Sequence, residues 1–402
     1  MKVVICGAGI AGLALAQRLD SFGAEVVVLE KAPGPRTQGY MIDFFGPGYD
    51  AAEAMGVLPR IRELGYEIDE MTYRDQRGRR RSRVRFAQFA KIVNGRLTSI
   101  MRPDLERALR EHISDQVDVR HGTTLTRIDN RTDGVTVTLA DDSTIEADLL
   151  VGADGIHSTV RDHVFGPERE FLRYLGFHTA AYSFDDAGIH AQVARQFCLT
   201  DTVNRQLGFY GLRDRRVAVF TVHRTPDPTL PADPRAAIRH EYGTLGWVAP
   251  RALAACPPPE QVYYDQVAQI DMPIWSRGRV VLIGDAAYAV SLLAGQGASL
   301  GITGAYVLAE HLSRTDTIDT ALHRYEQALR PVVTEKQQVA RDGTRWFIPA
   351  TTRQLRLRRA ALKLARLPVI DRYVAAALAG KSTAVITNLR ATSSQTAIIN
   401  AT

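Results

Sequence analysis

Three cysteines in 402 residues, Cys6, Cys198 and Cys256, are too few and too scattered for a disulfide scaffold, and no CxxC pair offers zinc or redox ligands. That usage fits a reducing cytoplasm, where the protein is expected to reside. The ten histidines contain no HExxH or comparable spacing, so no catalytic metal is expected. Neither a GxSxG elbow nor a plausible thiol dyad is present, which removes the common nucleophilic hydrolases. Long apolar runs are missing as well. The one extended stretch, Ala286 to Ala309, is broken by Gly295, Gly297, Gly301 and Gly304 and carries Gln296. It reads as a loop followed by a buried helix, and no transmembrane segment is expected. There is no solenoid-length repeat or low-complexity tract, and the start MKVVICGAG lacks the regions of a secretion signal.

What remains is a soluble globular composition, 45% hydrophobic and 23% charged, enough for two or three cores. The net charge of +6 is modest and largely concentrated in Arg77 to Arg85 (RGRRRSRVR). That stretch reads as a solvated hairpin rather than a polyanion site, and no nucleic-acid partner is expected.

The first thirty residues carry the strongest local signal. Lys2 to Cys6 is a short β-branched run, as a strand buried on both faces should be. The chain then turns through Gly7, Gly9 and Gly12: the first permits the tight turn, the second lets a pyrophosphate approach, the third lets the helix pack on the strand. Leu13, Ala16 and Leu19 recur at helical spacing, Gly23 ends the helix, and Val26 to Leu29 form a second strand closed by Glu30. An acid at that place binds a free ribose hydroxyl, which points to FAD or NAD and away from NADP at this site. A lone GxGxxG is weak evidence, but here strand, turn, helix, stop, strand and acid occur in order.

Two later motifs repeat the theme. Asp148 to Val151 leads into GADGIHSTVR (152–161), and Arg279 to Ile283 leads into GDAAYAVSLLAGQGASLG (284–301). Each places a glycine and a carboxylate at the carboxyl end of a strand, where open α/β sheets bind ligands. The three motifs, in this order and separation, resemble the single-component FAD-dependent monooxygenases of the para-hydroxybenzoate hydroxylase family, closest in motif to its tetracycline-inactivating branch. The resemblance spans roughly residues 1 to 345. It implies that Gly7, Gly9, Gly12, Glu30 and Lys31 hold the ADP half of FAD. It implies further that Asp154 and Gly155 serve both FAD and the nicotinamide cofactor, and that Gly284, Asp285, Gly295 and Gly297 hold the ribityl chain and ring. In RTQGYMID, Arg36 and Asp43 match a nicotinamide-cofactor arginine and a flavin-contacting aspartate; in RPDLERAL, Arg102 matches a flavin-binding arginine. Arg36 as a solvated loop charge and Arg102 as a helix-surface ion pair remain open alternatives. The chain departs from the family at Tyr288, Leu292 and Ser299, with Leu292 in place of a proline that in the family lies close to the reactive flavin face.

The expected fold is α/β: a Rossmann-like FAD-binding domain (1–71, 97–169 and 271–345), an inserted, mostly antiparallel β-sheet substrate domain (72–96 and 170–270), and a C-terminal helical segment with tail (346–402). RQLGFYGL and RVAVFTVH are period-two runs that predict an antiparallel hairpin. Phe197, Phe209, Phe220 and His223 are candidates to line a substrate cavity there, each with ordinary sheet core as the alternative. No catalytic acid or base is assigned. The run 353–367 (RQLRLRRAALKLARL) reads as a packed helix with its arginines facing water, ahead of a membrane-surface helix, and the tail from Ala391 is expected to fray.

With no hydrolytic or metal machinery, the hard chemistry falls to the cofactor. The resemblance implies an NADPH- or NADH-consuming monooxygenase, monomer or homodimer, that passes one atom of O2 through a flavin C4a-hydroperoxide to a hydrophobic aromatic or polyketide-like molecule. A flavin-dependent reductase on the same fold needs no O2. A non-enzymatic scaffold is disfavoured by the retention of Asp154 and Asp285, and a halogenase by the absence of WxWxIP, the tryptophans Trp247, Trp275 and Trp346 being isolated.

Overall fold

The β-branched run at the start pairs on both sides, as its double burial requires. In the computed structural model, which describes residues 1–36, 38–291, 295–315, 317–364, 385–387 and 389, Lys2–Cys6 lies between Leu149–Gly152 and Glu25–Glu30, parallel to both. Val280–Leu282 and Asp118–His121 extend this sheet in parallel, and Ser276–Arg277 closes one edge antiparallel. Val3, Val4, Ile5, Leu149, Leu150, Val151, Val280, Val281 and Leu282 are all fully buried. The carboxyl ends of three of these strands therefore emerge side by side, each followed by one of the three motifs. Helices Ile10–Asp20 and Gly297–Arg314 pack against each other.

A second sheet of seven strands runs in the order Tyr263–Ile270, Leu172–Asp185, Arg216–Arg224, Arg205–Gly211, Gln196–Thr200, Glu70–Arg74 and Arg80–Arg85. All neighbours are antiparallel except Gln196–Thr200 with Glu70–Arg74. Both the expected hairpin, Arg205–Gly211 with Arg216–Arg224, and the mixed α/β class are present. A two-stranded ribbon, Met41–Phe45 with Leu97–Met101, and a small meander of Leu125–Asn130, Val135–Leu139 and Thr144–Ala147 complete the β structure. The arginine-rich hairpin is partly neutralised locally: Arg79 and Arg81 reach Asp75, and Arg80 and Arg83 reach Glu70.

Alternation along a strand sends successive side chains to opposite faces. One face of the seven-stranded sheet, with Tyr182, Phe184, Leu207, Phe209, Val217 and Val219, is covered by Pro234–Tyr242 and Ala249–Ala254 and holds its own core. The other turns Phe220 and Tyr263 toward Tyr40, and Tyr210 and Ala218 toward Met41 and Met101 of the ribbon.

The C-terminal helix Thr352–Leu364 packs near Arg80–Arg85. Arg353 and Arg356 are exposed, as expected of arginines facing water, but the structure corrects that expectation for the next two. Arg358 is buried and donates to Asp201 (Nη2–Oδ1 3.0 Å), while Arg359 takes the other oxygen (Nε–Oδ2 2.6 Å). Leu292 and the tail from 391 lie outside the described residues. Among the described residues, no helix is long and apolar enough to cross a membrane.

Candidate active site

At the end of the first strand the glycines divide their labour as local sterics demand. Gly7 sits at φ +107°, and a Cβ there would lie 2.5 Å from the Ala153 carbonyl oxygen. A Cβ on Gly12 would come within 1.9 Å of the Gly7 carbonyl oxygen, so the helix can seat only on a bare Cα. Gly9 differs: its nearest neighbour would be Glu106 Oε1 at 4.0 Å, which leaves this Cα open toward the cleft. Glu30, at the end of the second strand, accepts from the backbone N–H of Ala8 (2.9 Å) and of Ala32 (2.9 Å), fixing both oxygens at the rim.

A cleft opens here, and Gly7, Gly9, Glu30, Lys31, Arg36, Arg102, Asp154 and Gly155 all line it. The structure thus brings together residues from all along the first 155 positions. Arg36 is exposed at its mouth with no ion pair among the described residues. Arg102 opens helix Arg102–Arg110 and lies 3.5 Å from buried Glu106, one turn on. Burial opposes its charge, but Glu106, Tyr40, Tyr263 and Asp285 more than offset that and raise its pKa. It is therefore a cation at the junction of the cleft with the second sheet, held in an i,i+4 ion pair with Glu106 whose carboxylate is buried.

The middle motif closes on itself. Asp154 accepts from the Ser158 hydroxyl (2.5 Å) and the Val160 N–H (3.1 Å), and Ser158 in turn caps helix Thr159–Val164 by accepting from Arg161 N–H (3.0 Å). Arg161, fully buried, donates to the carbonyls of Ile156 (2.6 Å) and Ala286 (3.0 Å) and pairs with Glu168 (3.0 Å). It staples the Asp154–Gly155 turn to the Gly284–Asp285 turn. Desolvation lowers its pKa, and Glu168 and Asp154 counter that. Asp285 is enclosed by the surrounding protein, which pushes its carboxyl up, with Arg102 opposing and Asp265 adding, yet its own surface stays exposed. Asp43, on the ribbon, is held by the Ser99 hydroxyl (2.6 Å), and burial raises its pKa.

Beyond Arg102 the cleft meets an aromatic wall. Tyr40 packs against both Phe220 and Tyr263 at 5.8 Å between centroids, and Phe197 stacks on Tyr210 at 4.1 Å and 5°. Phe220 and Phe197 thus lie on the sheet face turned toward the cleft. Phe209 and His223 do not, and both leave the group of cavity-lining candidates. Phe209 points into the opposite core, edge-on to Trp247 at 5.4 Å, and His223 meets the Tyr242 hydroxyl (Nδ1–Oη 3.1 Å) beneath helix Pro234–Tyr242. The physical reason is strand parity: Phe209 pairs with Val219, and both share the parity of the helix-covered face.

Several site residues were not singled out by sequence reasoning. Arg161 lay inside a quoted motif, but its carbonyl partner Ala286 is 125 positions away. Asp265 accepts from Tyr263 (3.4 Å) and faces His157 Nε2 (3.2 Å), whose Nδ1 faces Glu168 (3.0 Å). Only a doubly protonated His157 donates to both carboxylates, and its pKa is raised, chiefly by the hydrogen bond to Asp265.

The residues present fit an FAD. The Gly9 Cα is open beside a helix N-terminus, the Glu30 carboxylate stands at the rim, and the exposed Asp285 carboxylate lies in the field of cleft-lining Arg102. Buried Gln296 also offers a side-chain carbonyl oxygen with no hydrogen-bond partner among the described residues, beside Gly46 and the open Cα of Gly295.

Comparison with known proteins agrees. The FAD binding domain family matches residues 1–340, and the chain belongs to it. It is 31% identical over 349 residues to an uncharacterised protein of Mycobacterium tuberculosis, covering 85% of this chain and 93% of that one. It is 30% identical over 344 residues to a flavin-dependent monooxygenase of an unknown prokaryotic organism, covering 84% and 87%. Its structure resembles that of the tetracycline destructase Tet(55) with a TM-score of 0.78 at 26% identity, covering 94% and 97%. The chain is an FAD-dependent monooxygenase.

Proposed function

We propose that the enzyme inserts one oxygen atom of O2 into a hydrophobic aromatic or polyketide-like small molecule, using NADPH or NADH as reductant. The carrying observation is the aromatic wall of Tyr40, Phe220 and Tyr263 directly beyond Arg102 and Asp285, on the cleft-facing side of the second sheet. Pockets between two structural layers, apolar with a few aimed polar groups, suit such ligands. Likeness to a tetracycline destructase supports a polyketide-like substrate.

FAD, when bound, accepts hydride from the nicotinamide and activates oxygen. The chain's part is binding and placement. Gly9 and the N-terminus of helix Ile10–Asp20 receive the pyrophosphate, Glu30 the ribose, and Asp285 the ribityl hydroxyls; Lys31 stands beside the ribose end. Arg102 supplies a fixed positive charge. The sheet face with Phe197, Phe220 and Tyr263 excludes water and orients the substrate ring. The protein acts as a cytoplasmic monomer or homodimer.

The test is the visible spectrum of the purified protein, with anaerobic NADPH and then oxygen, in the presence and absence of fused-ring phenols. Flavin bands that bleach and recover, faster with one ligand, together with one oxygen atom of 18O2 in the product, support the reading. Bleaching without oxygen incorporation would transfer the fold to a reductase. Arg36, exposed at the cleft mouth with no ion pair among the described residues, suits a 2′-phosphate, so Arg36→Ala raises the KM for NADPH about tenfold while sparing that for NADH.

A further inference from the structure

Two buried glutamines stand where the last strand of the seven-stranded sheet, the long helix Ile318–Phe347 and the segment after the Gly284–Asp285 turn converge. The Gln269 amide donates to the carbonyl oxygens of Val290 (3.2 Å) and Gln337 (2.9 Å). The Gln337 amide donates to those of Ile270 (2.8 Å) and Ala289 (3.2 Å). Arg341 donates to Gln269 Oε1 (2.8 Å), and the Ile270 N–H also reaches the Ala289 carbonyl (3.1 Å). Every near neighbour of the two amide nitrogens is an acceptor, so their orientation is dictated and not arbitrary.

An apolar side chain of similar size would fill this space but leave buried main-chain carbonyls without these donors, so the two primary amides serve the backbone and not the packing. What they do that leucine or methionine cannot is select one position for the carbonyls of Ala289 and Val290. The next residue, Ser291, is held at φ +84°, a backbone conformation that a residue with a side chain adopts only when its surroundings impose it. Five positions beyond Ser291 is Gln296, whose buried carbonyl oxygen has no hydrogen-bond partner among the described residues and lies beside Gly46.

We propose that Gln269 and Gln337 are positioning residues: by clamping the carbonyls of Ala289 and Val290 they fix the entry to the Gly295–Gly297 turn, and so set how the flavin ring is held. Arg341 acts behind them by orienting the Gln269 amide. The clamp also joins the strand bearing Tyr263 and Asp265 to the flavin turn, so one network registers both walls of the site. The proposal rests on the reading that the Gly295–Gly297 turn, with the unpartnered Gln296 oxygen, receives the flavin ring.

The test uses the FAD-loaded enzyme. Gln337→Met keeps length and flexibility but removes both donors. It is expected to raise the Kd for FAD about tenfold, to change the fine structure of the bound flavin's visible absorption and circular dichroism, and to release more peroxide per NADPH consumed. Gln269→Met is expected to do the same, and the double variant little more than either, because both amides act on one segment. If Gln337→Met yields no folded protein, Gln269→Met, which spares the bonds to Ala289 and Ile270, carries the expectation alone. Gln327→Met, on an exposed turn of the same helix, serves as control and leaves all three readouts unchanged. A fall in thermal stability with unchanged flavin spectrum, Kd and peroxide yield would overturn the proposal. Gln296→Leu separates the two levels: if it leaves the flavin spectrum untouched, the ring placement itself fails, whereas a shift there with none in Gln337→Met or Gln269→Met sinks only the clamp.

Discussion

Gly9 and Gly12 stand three residues apart in one turn and make opposite predictions. Gly12→Ala forces a methyl to 1.9 Å from the Gly7 carbonyl oxygen, so the helix must move off the strand, at the upper end of the ~1–3 kcal/mol of overpacking. Gly9→Ala meets no atom closer than 4.0 Å, and its φ of −83° with ψ of −173° is extended backbone that alanine accepts. The thermal stability of the FAD-free Gly9→Ala protein is therefore expected to match the parent, while FAD affinity falls about tenfold or more as the pyrophosphate loses its approach. Calorimetry and fluorescence titration on the two variants separate fold from ligand; equal loss of stability would contradict the argument. The different surroundings of these glycines were legible in the sequence because they are local: turn, helix and strand lie within thirty residues. Arg161 and Gln337 were not, because a buried side chain that donates to backbone has no pattern of its own. Its acceptors are main-chain carbonyls 125 and 48 positions away, and any residue type has a carbonyl.

The strands were legible as elements but not as faces. RVAVFTVH alternates, yet the sheet is covered on both sides, by helices on one and by the ribbon and cleft on the other, so apolar residues occupy both parities. Nothing in a period of two says which parity meets the cleft, and Phe209 and His223 fell on the other one. His223 gains a different role there. Under helix Pro234–Tyr242 it faces the Tyr242 hydroxyl, the His178 ring at 5.7 Å, and Arg205; burial first, then His178 and Arg205, push its pKa from 6.5 down to about 4. His178, packed against Tyr264 and Tyr174, is lowered by burial too. The unfolded chain binds a proton at His223 below pH 6.5 while the folded one refuses it until about pH 4. Stability is therefore lost as pH falls through that window, by up to about 1.4 kcal/mol per pH unit, and the loss levels off below it. His223→Gln, which keeps a partner for Tyr242, is expected to flatten the profile of unfolding free energy between those limits. Parallel profiles for parent and variant would show that the acid sensitivity lies elsewhere.

At the scale of the whole molecule the question is what fastens the C-terminal helix Thr352–Leu364 to the sheet. A helix with basic residues on several sides signals a water-facing surface when read alone. The acid that turns Arg358 inward, Asp201, lies in the stretch after Gln196–Thr200, 157 positions away. Asp201 is almost fully buried and accepts from two guanidinium groups, while Arg358 also stacks on Tyr73 at 4.6 Å, so the helix is bound by charge, ring and sheet edge together. Removing one member of a buried pair costs more than the pair contributes, because the remaining charge is left desolvated. Asp201→Ala is thus expected to destabilise by about 3–5 kcal/mol, and to expose the helix to proteolysis near Pro349 before the rest of the protein unfolds. The Asp201→Leu, Arg358→Met double variant removes both charges and keeps the volume, so it recovers most of the loss. Limited proteolysis followed by mass spectrometry reads the release directly, and urea unfolding gives the energies. If the double variant is no more stable than Asp201→Ala, the helix is held by its apolar contacts and the ion pair only accompanies them.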